Sequence, residues 1–259
     1  MTRFANIEFD NEDRGKPEES QQREIRDEFF LLKQADSAFE VADFEKALRL
    51  YSRALDSNPN LEAGWVGQVR MLIELGEFKE AGLWVDKALD IFKNHPDLLA
   101  AKSVICCRMG DRRKALEFSD VASMQKSSSP YVWIARGEVL LATGDRNADF
   151  CIEKAKSVAP RDWFSLLNTA RVYYICRKYC KALEIAREAL DLKTTSPFVW
   201  FVMGLCQREL GMRSQSIKSF QQALSLDRNF KPAESALQSS NRMNAFKQLF
   251  APLRRLLKM

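Results

Sequence analysis

Small and apolar residues recur along the chain at a nearly constant interval, and this pattern predicts helices in pairs. One small residue returns every 33 or 34 residues, at Ala47, Ala81, Ala115, Ala148, Ala182 and Ser216. An alanine follows each of them seven residues later, and in several units a larger residue, such as Tyr51 or Phe220, follows four residues later. Spacings of four and seven place side chains on one face of an α-helix. We therefore expect a helical repeat array, in which every unit presents the same small surface to its neighbour.

A turn precedes the recurring small position in each unit. Glycine suits the end of a helix because it accepts left-handed backbone angles without steric cost. It stands in this turn in four units, at Gly76, Gly110, Gly144 and Gly211. The first unit has Ala42 here, and the fifth has Arg177-Lys178-Tyr179, which makes the fifth turn the atypical one. The predicted unit is thus a helix, a tight turn and a second helix.

Two segments of the chain carry the signature of a known repeat. Trp200-Phe201-Val202-Met203-Gly204 matches the opening of its first helix, and residues 47–54, followed by Pro59, match its second helix. With the other units in register, the chain resembles the tetratricopeptide repeat family over roughly residues 28–230, as six repeats. The resemblance implies an all-α fold, a right-handed α-α superhelix (solenoid) with a C-terminal capping helix. It also implies a concave groove that holds peptides or protein segments.

The resemblance further indicates which side chains line that groove. In this family the lining comes from the first helix of each repeat, near its second, fifth, sixth and ninth positions. The predicted partner-binding residues are Tyr131, Ile134, Phe164, Leu167, Asn168, Arg171, Phe198, Phe201 and, from the second repeat, Arg70. Exposed apolar surface of this extent marks an interaction site, so we expect a partner that inserts hydrophobic side chains. The open alternative is that these residues pack against neighbouring helices or a terminal segment of the same chain.

The two ends of the chain differ from the repeats between them. We expect a mobile polar segment over 1–23, the six-repeat array over 24–230, and a C-terminal part over 231–259. The last part combines a capping helix with a basic amphipathic tail, whose polar face carries Lys247, Arg254, Arg255 and Lys258. The tail has two interpretations. It covers the apolar face of the last repeat, or it docks on an anionic membrane surface or an acidic partner.

Residues that carry catalysis or bind metals are sparse. The chain has one histidine, His95, and six cysteines without a C-x2-C pair, so we expect no metal site and no cofactor. Neither a G-x4-G-K-[ST] phosphate loop nor a G-x-G-x-x-G motif occurs among the ten glycines. The carboxylates lie in mixed sequences typical of solvated helix faces. These observations favour a protein that is not an enzyme.

The net charge of +5 is concentrated at the C-terminus. From Arg242 to Met259 there are five basic residues and no acidic one, so the formal charges of residues 1–241 sum to zero. The uniform basic surface of a nucleic-acid-binding protein is therefore absent. The chain has no apolar run of about 18 residues, as a membrane span needs, and its first ten residues lack the apolar run of a secretory signal. We expect a cytoplasmic location.

These features predict a non-enzymatic protein–protein interaction scaffold. Its ligand is a peptide or a helix whose hydrophobic anchors enter the concave groove. The alternative function is a peripheral membrane adaptor that docks through the basic tail. Self-association is also open, because an unoccupied apolar groove invites a neighbouring copy. The sequence does not name the partner.

Overall fold

The described part of the chain is built from α-helices. The computed structural model describes residues 17–127 and 129–240, and within those ranges it contains no strand. Twelve helices follow one another: α1 Pro17–Glu40, α2 Phe44–Ser57, α3 Glu62–Glu74, α4 Phe78–Ile91, α5 Pro96–Arg108, α6 Arg112–Met124, α7 Pro130–Thr143, α8 Ala148–Val158, α9 Trp163–Ile175, α10 Tyr179–Leu192, α11 Pro197–Glu209 and α12 Arg213–Leu226. A further helical stretch covers 231–240. The all-α prediction is confirmed.

The twelve helices form six pairs, one for each predicted repeat, and each pair packs on the next. The recurring small residues, Ala47 to Ser216, expose at most 2% of their surface, and so do the alanines that follow them by seven residues. These side chains lie where two helices approach closely, and a larger group would separate the helices. The register predicted from the sequence is therefore the register of the packing.

Local sequence fixes where the helices begin. Asp43 caps α2, because its carboxylate accepts a hydrogen bond from the backbone N–H of Lys46 at 3.2 Å. Ser129 and Ser196 cap α7 and α11 in the same way, and in both helices a proline occupies the first turn. The serine-proline pairs that begin these two repeats thus mark real helix starts.

A residue in the left-handed backbone region occupies the turn of every repeat. The four turn glycines have φ between 78° and 89°. Ala42 in repeat 1 and Arg177 in repeat 5 adopt φ of 60° at the corresponding places. The atypical fifth turn therefore keeps the geometry of the others without a glycine.

The described ends of the chain extend the array. Phe230, Ala233 and Ala236 are buried in one cluster with Phe198 of α11, so the stretch 231–240 packs on the last repeat, where a capping helix is expected. At the other end α1 begins at Pro17, inside the predicted polar segment 1–23. Residues 1–16 and 241–259 lie outside the described part. The three-part division of the chain stays a prediction.

Candidate interaction groove

The first helices of the middle repeats enclose a narrow cavity. Five of the predicted groove residues line it: Arg70, Tyr131, Ile134, Asn168 and Arg171. The rest of the lining comes from Ile73, Glu74, Val104, Arg108, Ala135, Glu138, Val172 and Ile175. The cavity measures about 50 Å³, which is enough for a few water molecules and not for a peptide. The predicted positions therefore do face a common interior, but the space between them is small.

The turn of repeat 1 fills the space beside this cavity. Phe39, in the last turn of α1, meets the ring of Phe164 edge-on, with ring centroids 4.8 Å apart. Phe44, the first residue of α2, meets the ring of Phe198 with centroids 6.0 Å apart. Edge-to-face pairs at these distances are favourable beyond the area that they bury. Repeat 1 thus closes the solenoid onto repeats 5 and 6.

Two arginines lie against the aromatic rings of this contact. The Arg70 guanidinium lies 4.9 Å from the ring centroid of Phe39 and 4.2 Å from that of Tyr131. Arg171 lies 5.7 Å from the centroid of Phe44 and 5.1 Å from that of Phe198. A guanidinium over an aromatic face is attracted by the ring quadrupole, more strongly where water is excluded. Both arginines therefore join repeat 1 to the inner face of the array.

Arg171 also forms an ion pair across the cavity. It donates hydrogen bonds to both carboxylate oxygens of Glu74, with Nη1 3.0 Å from Oε1, and a further one to Oδ1 of Asn168 at 3.1 Å. The side chains of Arg171 and Glu74 are only 17% and 21% exposed. Burial alone would raise the pKa of Glu74, but the charge and hydrogen bonds of Arg171 hold it below its ordinary value. Glu74 is therefore a carboxylate at neutral pH.

A second ion pair, between Arg108 and Glu138, lies on the same cavity wall. The Glu138 side chain is 6% exposed, and its oxygen accepts a hydrogen bond from Arg108 Nε. Burial would lower the pKa of Arg108, but Glu138 raises it, so the guanidinium stays charged. With Arg70, Glu74 and Arg171, the lining holds three guanidinium groups and two carboxylates. Because these charges nearly cancel, the cavity is not a general anion site.

The apolar residues predicted to line the groove are largely buried. Leu167 is fully buried, and Ile134 and Phe198 expose only 4% and 3% of their surface. Phe201 packs against Phe220 and Phe230, with ring centroids 6.0 and 5.6 Å apart. The expectation of an exposed apolar groove was therefore wrong, because these side chains pack within the same chain. Whether they also contact a partner stays a prediction.

Sequence reasoning did not select Phe39, Phe44, Glu74 and Arg108. Glu74 and Arg108 each stand four residues after a ninth position of the first helix, so they lie one turn further along the same face. Extending the groove positions by one turn finds both residues. Phe39 and Phe44 flank the first turn like ordinary core aromatics, and no local pattern indicates that they contact repeats 5 and 6.

Other predictions concern chemistry elsewhere in the chain. The tail residues Lys247, Arg254, Arg255 and Lys258 lie outside the described residues, so tail capping and membrane docking stay predictions. Within the described ranges, no three His, Cys, Asp or Glu side chains cluster in a way that could hold a metal ion. No described helix combines the length and apolar character that crossing a bilayer requires.

The family comparisons agree with the register. The tetratricopeptide repeat model matches residues 32–96, and a second tetratricopeptide repeat model matches residues 199–230. A TPR repeat-containing protein of Methanocaldococcus jannaschii is 23% identical over 70% of this chain and 34% of its own length. The BBSome complex member BBS4 of Bos taurus is 22% identical over 77% of this chain and 37% of its own length. The chain thus spans about a third of the length of these curated relatives.

Solved structures show the same architecture. A tetratricopeptide repeat protein from Parabacteroides merdae superposes with a TM-score of 0.52 at 16% identity, over 82% of this chain and 84% of that one. A thermophilic TPR protein of Thermus thermophilus superposes with a TM-score of 0.51 at 18% identity, over 82% of this chain and 98% of that one. These likenesses establish the fold and leave the partner open. With its six helix pairs, its small-residue register and both family matches, the chain belongs to the tetratricopeptide repeat superfamily.

Proposed function

We propose that this chain is a protein-interaction scaffold whose concave face binds a helix or peptide with two aromatic anchors. In this proposal, the turn of repeat 1 is an internal occupant that the partner displaces. The proposal rests on one observation, the docking of Phe39 and Phe44 against Phe164 and Phe198. A surface that already holds one aromatic pair has the shape and chemistry to hold another.

The internal occupant indicates the chemistry of the partner. Its aromatic rings stand five residues apart, and Glu40 and Asp43 lie between them. The same face supplies two guanidinium groups, Arg70 and Arg171, that stack on aromatic rings. We infer a partner segment with two large aromatic side chains on one side of a helical turn.

The closed state sets a threshold for binding. Because repeat 1 is tethered to the array, it competes with a free partner at a high effective concentration. The apparent affinity of the partner equals its affinity for the open form multiplied by the fraction of molecules that are open. A partner must therefore offer more contacts than Phe39 and Phe44 alone. The bovine relative is named as a member of a protein complex, which suits a scaffold role.

A peptide with the sequence of residues 35–49, which contains both Phe39 and Phe44, tests this proposal directly. We expect the labelled peptide to bind a Phe44→Ala variant of the whole chain saturably, as measured by fluorescence anisotropy. Its affinity for the unaltered chain should be about tenfold weaker, because there the site is occupied.

Two controls make the peptide experiment decisive. A peptide in which both phenylalanines are alanine should not bind, and adding Phe164→Ser to the Phe44→Ala variant should abolish binding while helical circular dichroism is retained. Equal binding of the peptide to the unaltered chain and the Phe44→Ala variant would contradict the proposal, because the peptide would then bind elsewhere.

A further inference from the structure

A second hollow opens away from the groove, between the second helices of repeats 1 and 2. Its walls come from α2, α3 and α4, and its lining residues are Leu48, Arg49, Ser52, Arg53, Gln68, Leu72, Glu80 and Trp84. We call it the α2–α4 hollow. It measures about 240 Å³, whereas an engineered protein cavity of about 150 Å³ suffices for benzene. A ring-sized group therefore fits.

The equivalent space is filled at the next joint of the array, the contact between repeats 2 and 3. Residue 102 is 34 positions after Gln68, and residue 86 is 34 positions after Ser52. Lys102 spans that joint, with its Nζ 2.6 Å from a carboxylate oxygen of Asp86 and 4.5 Å from the ring centroid of Phe118. The lysine side chain and its charge partner thus occupy the place that corresponds to the α2–α4 hollow.

The following joint is filled in the same way. Arg136 stands 34 positions after Lys102, and Asp120 stands 34 positions after Asp86. The Arg136 guanidinium pairs with Asp120 and reaches Oγ of Ser119 at 3.4 Å. A cation on the first helix and a carboxylate on the preceding second helix therefore close two successive joints.

The joint between repeats 1 and 2 lacks both members of this pair. Ser52 replaces the carboxylate, and its hydroxyl donates to the backbone oxygen of Leu48 at 3.0 Å. Gln68 replaces the cation, is only 4% exposed, and has a buried Oε1 without a hydrogen-bond partner among the described residues. An unsatisfied buried acceptor is costly, so a ligand that supplies a donor gains the hydrogen bond. Hydrogen bonding to a ligand in the hollow requires a rotation of the terminal amide that turns Oε1 toward it, and this torsion is broad in glutamine.

The walls of the hollow select the kind of group that fits. Leu48, Leu72 and the ring of Trp84 offer apolar contact. Arg49 and Arg53 are exposed at the mouth and outnumber the one carboxylate of the lining, Glu80, so the hollow disfavours a cation. At the filled joints Asp86 and Asp120 attract one. The best occupant is therefore a neutral aromatic group with one hydrogen-bond donor.

We propose that the α2–α4 hollow is a docking site for a tryptophan side chain of a partner protein. The indole ring lies against Trp84 and the two leucines, and its N–H donates to the Gln68 amide oxygen. This site is separate from the concave face and does not depend on the opening of repeat 1. The scaffold then has two contact points, one on the inner and one on the outer side of the array.

Indole and N-acetyltryptophanamide are the probes for this site, read by amide chemical shifts of the whole chain in NMR. We expect both to perturb the residues of the hollow saturably. 1-Methylindole, which keeps the ring and lacks the donor, should bind about fivefold to tenfold more weakly. The Ser52→Asp, Gln68→Lys double variant copies the filled joint and should abolish binding. Gln34→Lys, at the same register position in repeat 1, should not change it.

The outcomes separate the possibilities. Equal binding of the probes to the unaltered chain and to the Ser52→Asp, Gln68→Lys double variant would overturn the proposed site. Binding of indole without binding of N-acetyltryptophanamide would overturn the proposal that a tryptophan side chain of a partner docks here, because only a free small molecule could then enter. If the double variant fails to fold, the comparison of indole with 1-methylindole on the unaltered chain decides, and equal affinities would overturn the donor role of indole toward Gln68.

Discussion

Glu74 of repeat 2 and Arg171 of repeat 5 lie 97 residues apart in sequence and face each other across the interior of the solenoid. Arg171 donates a hydrogen bond to each oxygen of the carboxylate. The same guanidinium lies beside Phe44 of repeat 1 and Phe198 of repeat 6. One arginine therefore links four repeats.

Glu74→Gln removes the charge of this pair and keeps the size of the side chain. Arg171 then retains Asn168 as an acceptor but loses its countercharge in a poorly solvated place. We expect the free energy of unfolding to fall by about 1–3 kcal/mol, measured by chemical denaturation. Glu153→Gln is the control, because that carboxylate is 71% exposed and lies 3.7 Å from Lys156. A Glu74→Gln variant as stable as the unaltered chain would exclude a stabilising role for the pair.

Acid should weaken the same contact. The pKa of Glu74 in the folded chain lies below its ordinary value of 4.5, because Arg171 outweighs the effect of burial. The stabilisation is therefore complete above about pH 4.5 and is lost as the pH falls through the folded-state pKa. We expect the stability difference between the unaltered chain and Glu74→Gln to be constant near neutral pH and to shrink in acid. A difference that grows on acidification would contradict this sign.

Phe44→Ala should loosen the closure without unfolding the repeats. Phe44 lies between Phe39 and Phe198, with ring centroids 6.0 Å from each, and is only half-buried. We expect a larger radius of gyration in small-angle X-ray scattering, unchanged helical circular dichroism, and a loss of about 1–3 kcal/mol in stability. Phe150→Ala, at a side chain that is 66% exposed, should change none of these. An unchanged radius for Phe44→Ala would show that repeat 1 stays docked without this ring.

The sequence was sufficient to predict the helical repeat and the residues that face the interior of the array. The spacing of Ala47, Ala81 and their counterparts predicted the helix pairs, because close helix packing requires small residues at fixed intervals. The resemblance then selected Arg70, Tyr131 and Arg171, which do lie around one cavity. Both inferences depend on local periodicity, which a sequence displays directly.

The closure of the array was not predictable in the same way. The path of a solenoid follows from small rotations between neighbouring repeats, and these add up over the whole chain. Whether Phe39 reaches Phe164 is decided by that sum and not by the residues near either ring. The apolar residues of repeats 5 and 6 were for this reason expected to be exposed, although repeat 1 and neighbouring helices cover them.

Arg177→Gly should stabilise the fifth repeat. Arg177 adopts φ of 60° in its turn, a conformation that a side chain with a Cβ disfavours and glycine accepts. We expect a net gain of about 0.5–1 kcal/mol in the free energy of unfolding. This value allows for the greater freedom of glycine in the unfolded chain, which opposes the gain. Gly144→Ala is the reciprocal change in open space at φ of 78° and should lose about 1 kcal/mol. A destabilised Arg177→Gly variant would mean that contacts of the arginine side chain stabilise the fold by more than its left-handed backbone conformation costs.

Gly204→Ala should destabilise the last repeat, because the helices α11 and α12 approach closely at this residue. A Cβ at Gly204 would lie 2.6 Å from Cε1 of Phe220, whose ring is fully buried and cannot move aside freely. We expect a loss of about 1–3 kcal/mol in chemical denaturation. Gly82→Ala in α4 is the matched control, because nothing lies within 4 Å of its Cβ position and alanine favours the helix by about 0.5–1 kcal/mol. The two variants should therefore shift stability in opposite directions, and a shift of both toward greater stability would show that Phe220 does not require glycine at this position.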